Sequence, residues 1–234
     1  MNPQKPSVVY RYRSGLYVNL TNRCPTACVF CIKNAWAMDY HGSSLDLAGR
    51  EPSPEEVLKL AAAEWAAAPF EELVFCGFGE PTMRLPELLA CARSIKSGAA
   101  APLPRTLRIR VNTNGLANAV WNRDVVPEMK GLIDSVHVSL NSADAAQWAA
   151  LMRPRPELLA SGFEKVKEFI RSAAGALPET FATAVEGNGA DLEKFKALAA
   201  ELGARPRIRG RLDEAGPEEG AGPEPAPAKG GVKP

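Results

Sequence analysis

Residues 16–31 read Leu16-Tyr17-Val18-Asn19-Leu20-Thr21-Asn22-Arg23-Cys24-Pro25-Thr26-Ala27-Cys28-Val29-Phe30-Cys31, an apolar run of strand formers leading directly into a loop that carries three thiols. The first five residues predict a strand. Soft ligands crowded on one turning loop select zinc or an iron–sulfur cluster. On a cube of four irons, Cys24, Cys28 and Cys31 can each reach a different iron, which leaves the fourth without a local cysteine. A structural zinc site wants four protein ligands, and His41 and His137, the chain's two histidines, are not spaced as a finger.

The chain beyond this loop repeats the change of period that the strand begins. Ser53-Pro54-Glu55-Glu56 supplies an N-cap, a proline at N1 and a glutamate at N3. A helix is therefore expected over 54–68, with Val57, Leu58, Leu60, Ala61 and Trp65 at helical spacing, and a strand over 73–76. The alternation continues with a helix over 86–96 stopped by Gly98, a strand over 107–111, a helical stretch over 116–130 and a strand over 134–140. Helices over 143–151 and 156–174, a strand over 181–185, a helix over 191–202 closed at Gly203 and a strand over 207–209 complete it. The two dozen residues before the first helix hold Asp39, Gly42, Ser43 and Gly49 and predict no regular structure.

Strands alternating with helices imply right-handed crossovers and a parallel sheet, hence an α/β fold. Six units suit a partial (β/α)6 TIM-like barrel, with a doubly wound open sheet as the alternative. One core domain is expected over 1–211. Residues 212–234 are Gly, Pro, Glu and Ala with almost no larger aliphatics and predict a disordered tail.

Composition narrows the function classes. With 234 residues and 46% hydrophobic content, one sizeable core is expected. Lys plus Arg number 28 against 27 Asp plus Glu, a net charge of +1, so no bulk attraction to nucleic acid or membrane is expected, although a local basic patch is compatible with it. No run approaches the roughly 18 apolar residues of a membrane span, and the N-terminus lacks the apolar core of a signal peptide, so the expected location is the cytoplasm. Five cysteines, three of them within one loop, fit metal ligation in a reducing compartment better than a disulfide framework.

In parallel strand–helix folds the chemistry gathers at the carboxyl ends of the strands. Those ends here carry the cysteine loop, then Gly77-Phe78-Gly79-Glu80-Pro81, then Asn112-Thr113-Asn114-Gly115, then Ser139-Leu140-Asn141. The opposite turns, such as Ala67-Ala68-Pro69 and Gly131-Leu132, are bland. Strand alternation places Arg110 below Asn112, and His137 below Ser139, as a candidate inward pair where a substrate could sit. Cys76 and Cys91 read as small buried hydrophobes, Cys76 beside the glycine turn.

The thiol loop with Phe30 before its last cysteine, together with the glycine–glutamate–proline turn, resembles the radical S-adenosylmethionine superfamily over residues 15–210. The Asn-Leu-Thr-Asn-Arg-Cys approach, the Phe-Cys-Gly-aromatic-Gly-Glu-Pro turn and the Asn-Thr-Asn-Gly turn look closest to its small TatD-linked members. The resemblance implies a 4Fe-4S cluster held by Cys24, Cys28 and Cys31, with S-adenosylmethionine on the fourth iron. Reductive cleavage would then give methionine and a 5'-deoxyadenosyl radical that abstracts a substrate hydrogen, with reduced flavodoxin or ferredoxin as electron donor. By the same likeness Phe30 shields cluster and adenine, and Gly77, Gly79, Glu80 and Pro81 form the turn that receives the methionine ammonium. Asn112 approaches that ammonium, Ser139 and Asn141 approach the ribose, and Arg153 or its neighbour Arg155 meets the carboxylate. Phe78 stands where most relatives have glycine, and Thr183-Ala184-Val185-Glu186-Gly187 departs from the family's adenine-stacking pattern. The substrate is unspecified, a small molecule or a protein. A glycyl-radical-activase-like modifier and a non-catalytic iron–sulfur carrier or sensor are the alternatives.

Overall fold

The computed structural model describes residues 6–35, 38–40 and 43–210. The expected tail at 212–234, His41 and Gly42 lie outside the described residues. An antiparallel hairpin, β1 (Val9–Tyr12) and β2 (Gly15–Val18), opens the sheet. After it come α1 (Ile32–Ala35), β3 (Asp39–Tyr40) and β4 (Ser43–Ser44), then α2 (Pro54–Ala67), β5 (Glu72–Phe75), α3 (Leu85–Ser97) and β6 (Arg108–Thr113). The chain continues through α4 (Ala117–Val120), α5 (Val126–Met129), β7 (Ser135–Ser139), α6 (Ala145–Met152) and α7 (Gly162–Ala176) to β8 (Glu179–Val185), α8 (Leu192–Glu201) and β9 (Arg205–Arg209).

The main sheet runs β1-β2-β5-β6-β7-β8-β9, and every pair from β2 to β9 is parallel. Because the parallel strands follow chain order without reversal, right-handed crossovers put their helices on one face only. That is the partial-barrel arrangement, and it removes the doubly wound alternative, which needs a reversal of order. Leu16, Val18, Leu73, Phe75, Ile109, Val111, Val136, Val138, Ala182 and Ala184 point to the helices and are buried with Val57, Ala61, Leu88, Phe169 and Phe195. The alternate residues, among them Tyr17, Glu72, Cys76, Arg110, Asn112, His137 and Thr183, line the other, inner face.

Four local expectations are corrected. Strand β1 precedes the first predicted strand. Its half-buried Val-Tyr-Arg-Tyr carries little hydrophobic signal, and pairing with β2 is what makes it a strand. The segment expected to be featureless contains α1 and the small β3–β4 hairpin. The single helical stretch over 116–130 is two short helices. Asn118 Oδ1 accepts the Val125 N–H at 3.0 Å and Asp124 Oδ1 the Val126 N–H at 3.1 Å, so side chains cap a break in which Asn122 sits at φ 51°. The helix over 156–174 likewise starts with a 3-10 turn, Pro156–Leu158, before α7. Predicted caps do form: the Glu56 N–H donates to Ser53 Oγ at 3.3 Å, and Gly98 closes α3 at φ 85°. Among the described residues no helix is long and apolar enough to cross a membrane.

Candidate active site at the carboxyl rim

The cysteine loop is shaped from three directions. Its approach is knit by side chains: Thr21 Oγ1 donates to Glu51 Oε1 at 2.6 Å, Arg23 Nε pairs with the same oxygen at 2.7 Å, and Asn22 donates to Leu45 O at 3.0 Å and accepts from the Leu47 N–H at 2.7 Å. Its base is held by the chain after α6. The Ala27 N–H donates to Arg153 O at 3.0 Å, the Val29 N–H to Leu151 O at 2.9 Å and the Arg155 N–H to Pro25 O at 2.9 Å. Arg153 is exposed with φ 44°, so it acts on the loop through its carbonyl; Arg155 Nη2 lies 3.4 Å from Cys24 O. Neither backbone clamp has a sequence signal, because any residue carries the same N–H and C=O.

The third hold is the glycine turn after β5. The Glu80 N–H donates to Arg23 O at 2.9 Å. A Cβ on Gly79 would collide with Thr21 O and come within 2.6 Å of Arg23 O, and one on Gly77 would collide with Asn19 Oδ1 and sit 3.0 Å from Asn19 Cα. These glycines permit close backbone approach to the loop. Pro81 is buried and starts the 3-10 turn Pro81–Arg84. The buried Glu80 carboxylate joins two rim turns: Oε1 accepts from Thr82 N at 3.1 Å, Thr82 Oγ1 at 2.7 Å and Thr113 Oγ1 at 2.8 Å, and Oε2 accepts from Asn114 N at 2.7 Å.

Within the loop, the Cys24 and Cys28 sulfurs lie 3.2 and 3.4 Å from Thr26 Oγ1, and Asn114 Nδ2 is 3.8 Å from Cys24 Sγ. Burial pushes both thiols up, Cys28 to about 11, so each is protonated at neutral pH until a metal takes the thiolate. Phe30 packs half-buried against the core beside Cys28.

Inside the rim, the inner face offers polar groups of two kinds. Asn141, at φ 61°, is spent within the protein: Oδ1 accepts from Val185 N at 3.1 Å, and Nδ2 faces Met152 Sδ at 3.3 Å. Asn112 is not. Its amide hydrogen-bonds the Cys76 thiol, while Oδ1 is buried with no partner among the described residues. Ser139 stands on the same face, partly buried. Lower down, Arg110 and His137 do meet, with 3.3 Å between Nη1 and Nδ1. Arg110 Nη2 also donates to Glu72 Oε1 at 2.6 Å and Tyr17 OH at 2.9 Å. Burial beside Arg110 depresses His137 to about 2, so its ring is neutral.

Among the described residues no three His, Cys, Asp or Glu converge on a single ion. A multi-iron cluster has no such requirement, since it takes one thiolate per iron. The loop's three thiols and the orphaned carbonyl of Asn112, which suits an ammonium donor, therefore fit a cluster with an amino-acid-bearing ligand on its open iron.

Similarity to known proteins agrees. The Radical SAM superfamily family model matches residues 18–202. A probable RNA methyltransferase of Sorangium cellulosum is 30% identical over 147 residues, covering 60% of this chain and 33% of its own. The GTP 3',8-cyclase of Mycolicibacterium smegmatis is 30% identical over 168 residues, covering 67% and 42%. The chain thus spans less than half the length of these curated relatives, and neither carries the finer TatD-linked likeness. Among solved structures, the FeFe-hydrogenase maturase HydG from Carboxydothermus hydrogenoformans shares the fold, with a TM-score of 0.55 at 18% identity over 84% of this chain and 44% of that one. The chain belongs to the Radical SAM superfamily, whose enzymes work with a 4Fe-4S cluster and S-adenosylmethionine.

Proposed function

We propose that this chain abstracts a hydrogen atom from a substrate seated on the inner face of its sheet. Cys24, Cys28 and Cys31 hold the cluster, Asn112 accepts from the ammonium of S-adenosylmethionine, and Ser139, rather than the engaged Asn141, meets its ribose. The bound pair supplies reductive cleavage of S-adenosylmethionine to methionine and a 5'-deoxyadenosyl radical, with reduced flavodoxin or ferredoxin as the electron source. The protein's own part is to order the thiol loop through Glu51, Glu80 and the 151–155 backbone, and to keep water from the nucleoside with Phe30. Arg110 and His137 form the floor on which the substrate rests, Arg110 already tied to Glu72 and His137 presenting a neutral ring.

The observation that carries this reading is Asn112 Oδ1, buried with no partner among the described residues on the same rim as three thiols. An electron-transfer cluster would not need it. Anaerobically reconstituted protein given dithionite and S-adenosylmethionine should form 5'-deoxyadenosine. None from a fully loaded sample would overturn the reading.

A further inference from the structure

The floor of the inner face bears on the class of substrate, provided that the radical reading of the same site holds. At its centre the Arg110 guanidinium touches three side chains: Nη2 donates to Glu72 Oε1 at 2.6 Å and to Tyr17 OH at 2.9 Å, and Nη1 lies 3.3 Å from His137 Nδ1. A guanidinium only donates, so Nδ1 is the acceptor and the neutral ring carries its proton on Nε2. An imidazolium at that distance would set two N–H donors and two cations against each other. Burial, with Arg110 beside it, accordingly holds His137 far below its ordinary range. The Tyr17 hydroxyl likewise accepts from Arg110 and keeps its own proton, since burial pushes its pKa up to about 12.

Two hydrogen-bond donors are left over. His137 is 7% exposed and Tyr17 9%, yet neither the Nε2–H of the one nor the O–H of the other has an acceptor among the described residues. Register with Asn112 puts His137 on the inner face, and Nε2 is the ring nitrogen farther from the backbone, so it stands further into the barrel than the bond to Arg110. A donor so deeply buried is costly until something accepts from it. The neighbours are rings: Phe181 lies 4.6 Å from His137 between centroids, and Tyr10 and Tyr12 lie 5.5 and 5.3 Å from Tyr17. Pairing of Tyr10 with Tyr17 keeps the hairpin's rings on this face.

We infer that the floor takes an uncharged planar ring bearing a carbonyl, whose oxygen accepts from His137 Nε2–H, with Tyr17 O–H as a second donor across Arg110. The charge of Arg110, which touches both donors, is spent on Glu72 at 2.6 Å, and Arg108 and Arg205 are engaged by Glu179. The floor therefore offers dipoles rather than a full charge. An anion would meet the Glu72 carboxylate, and a cation would meet two donor protons. A neutral carbonyl meets neither penalty, and a flat ring carrying it gains contact with Phe181 and the tyrosines.

The test is saturation-transfer NMR on the anaerobic, cluster-loaded full chain with S-adenosylmethionine and no reductant, using benzamide and, separately, uracil. At least one should bind saturably and more tightly than cyclohexanecarboxamide, which lacks the flat ring, or benzoate, which is charged. His137→Leu should weaken that probe by about tenfold and Tyr17→Phe by about threefold, the loss of a neutral hydrogen bond. His137→Gln, which keeps an N–H there, should retain most of the affinity. Where His137→Leu does not fold, Tyr17→Phe is the deciding variant. Saturable binding of neither probe, benzoate or cyclohexanecarboxamide binding as tightly, affinity unchanged in the deciding variant, or a loss as large in His137→Gln as in His137→Leu would overturn the inference. Deoxyadenosine formation by the wild type is read separately. Its absence beside intact probe binding sinks the radical reading alone, and its presence without probe binding sinks the carbonyl-ring inference alone.

Discussion

The two ends of the inner face are built from the same strands yet obey different rules. At the lower end the charges answer one another: Glu72, Arg108, Arg110, Glu179, Tyr17 and His137 form a linked set in which each buried charge has an opposite, while the neighbouring Ser135 Oγ is buried with no partner among the described residues. At the upper end Asn112 Oδ1 is buried with no partner among the described residues, and three thiols share one loop. A satisfied buried network adds rigidity, and an unsatisfied one is costly unless a ligand completes it. On the proposed reading the contrast separates a charge-paired floor, held by the fold, from a rim that receives the cluster and S-adenosylmethionine, and the two should respond to mutation in different measurements.

The largest effect is expected at the upper end. Cys28→Ala should abolish the cluster's electron paramagnetic resonance signal and with it 5'-deoxyadenosine formation; an unchanged signal would remove Cys28 from the ligands. The lower end breaks differently. Glu72→Gln leaves Arg110 buried without its counter-ion and should cost about 3 kcal/mol in urea unfolding, with affinity for S-adenosylmethionine within about twofold of wild type, a change under half a kcal/mol. If affinity fell while stability held, the two ends would not be separate.

Gly79→Ala tests the join between the ends. Its Cβ meets the Thr21 and Arg23 carbonyls, so about 2–3 kcal/mol of overpacking should appear together with reduced iron per chain. Retention of both would show that the glycine turn does not set the loop.

His137 ties the lower end to pH. Its folded pKa, about 2, lies below the ordinary 6.5, so the unfolded chain binds the extra proton. The stability it contributes is present above pH 6.5 and lost as pH falls below that value. Between pH 7 and pH 5 this loss is about 2 kcal/mol. His137→Gln should lose that much less over the same interval, measured by urea titration. The smallest effect is that of Asn112→Ala, about tenfold weaker binding of S-adenosylmethionine with unfolding free energy within about 0.5 kcal/mol of wild type.

Several of these residues were legible before any coordinates. Apolar alternation marked the parallel strands, and Ser53-Pro54 and Gly98 marked helix ends, because caps and burial are local or periodic properties of side chains. Alternation likewise brought Arg110 toward His137, and they stand 3.3 Å apart. Its limit shows at Glu72: nothing in the order of residues says that a strand-start glutamate 38 positions away takes the Arg110 charge. Asn112 and Asn141 illustrate the same limit. Both end a strand, but only the fold turns Asn141 inward onto Val185 N and leaves Asn112 Oδ1 unclaimed.

The amino-acid order alone determined the thiol spacing, the alternation of strand and helix, and hence the placing of polar residues at one set of strand ends, since these follow from side-chain chemistry and the periods of regular backbone. Tertiary structure decided that the 151–155 backbone grips the cysteine loop, that Gly77 and Gly79 yield space to the loop's own approach, and that Glu80 ties the turns after β5 and β6 together. Those depend on which distant backbones and charges come within a few ångströms of each other, a matter of closure and packing that no local pattern encodes.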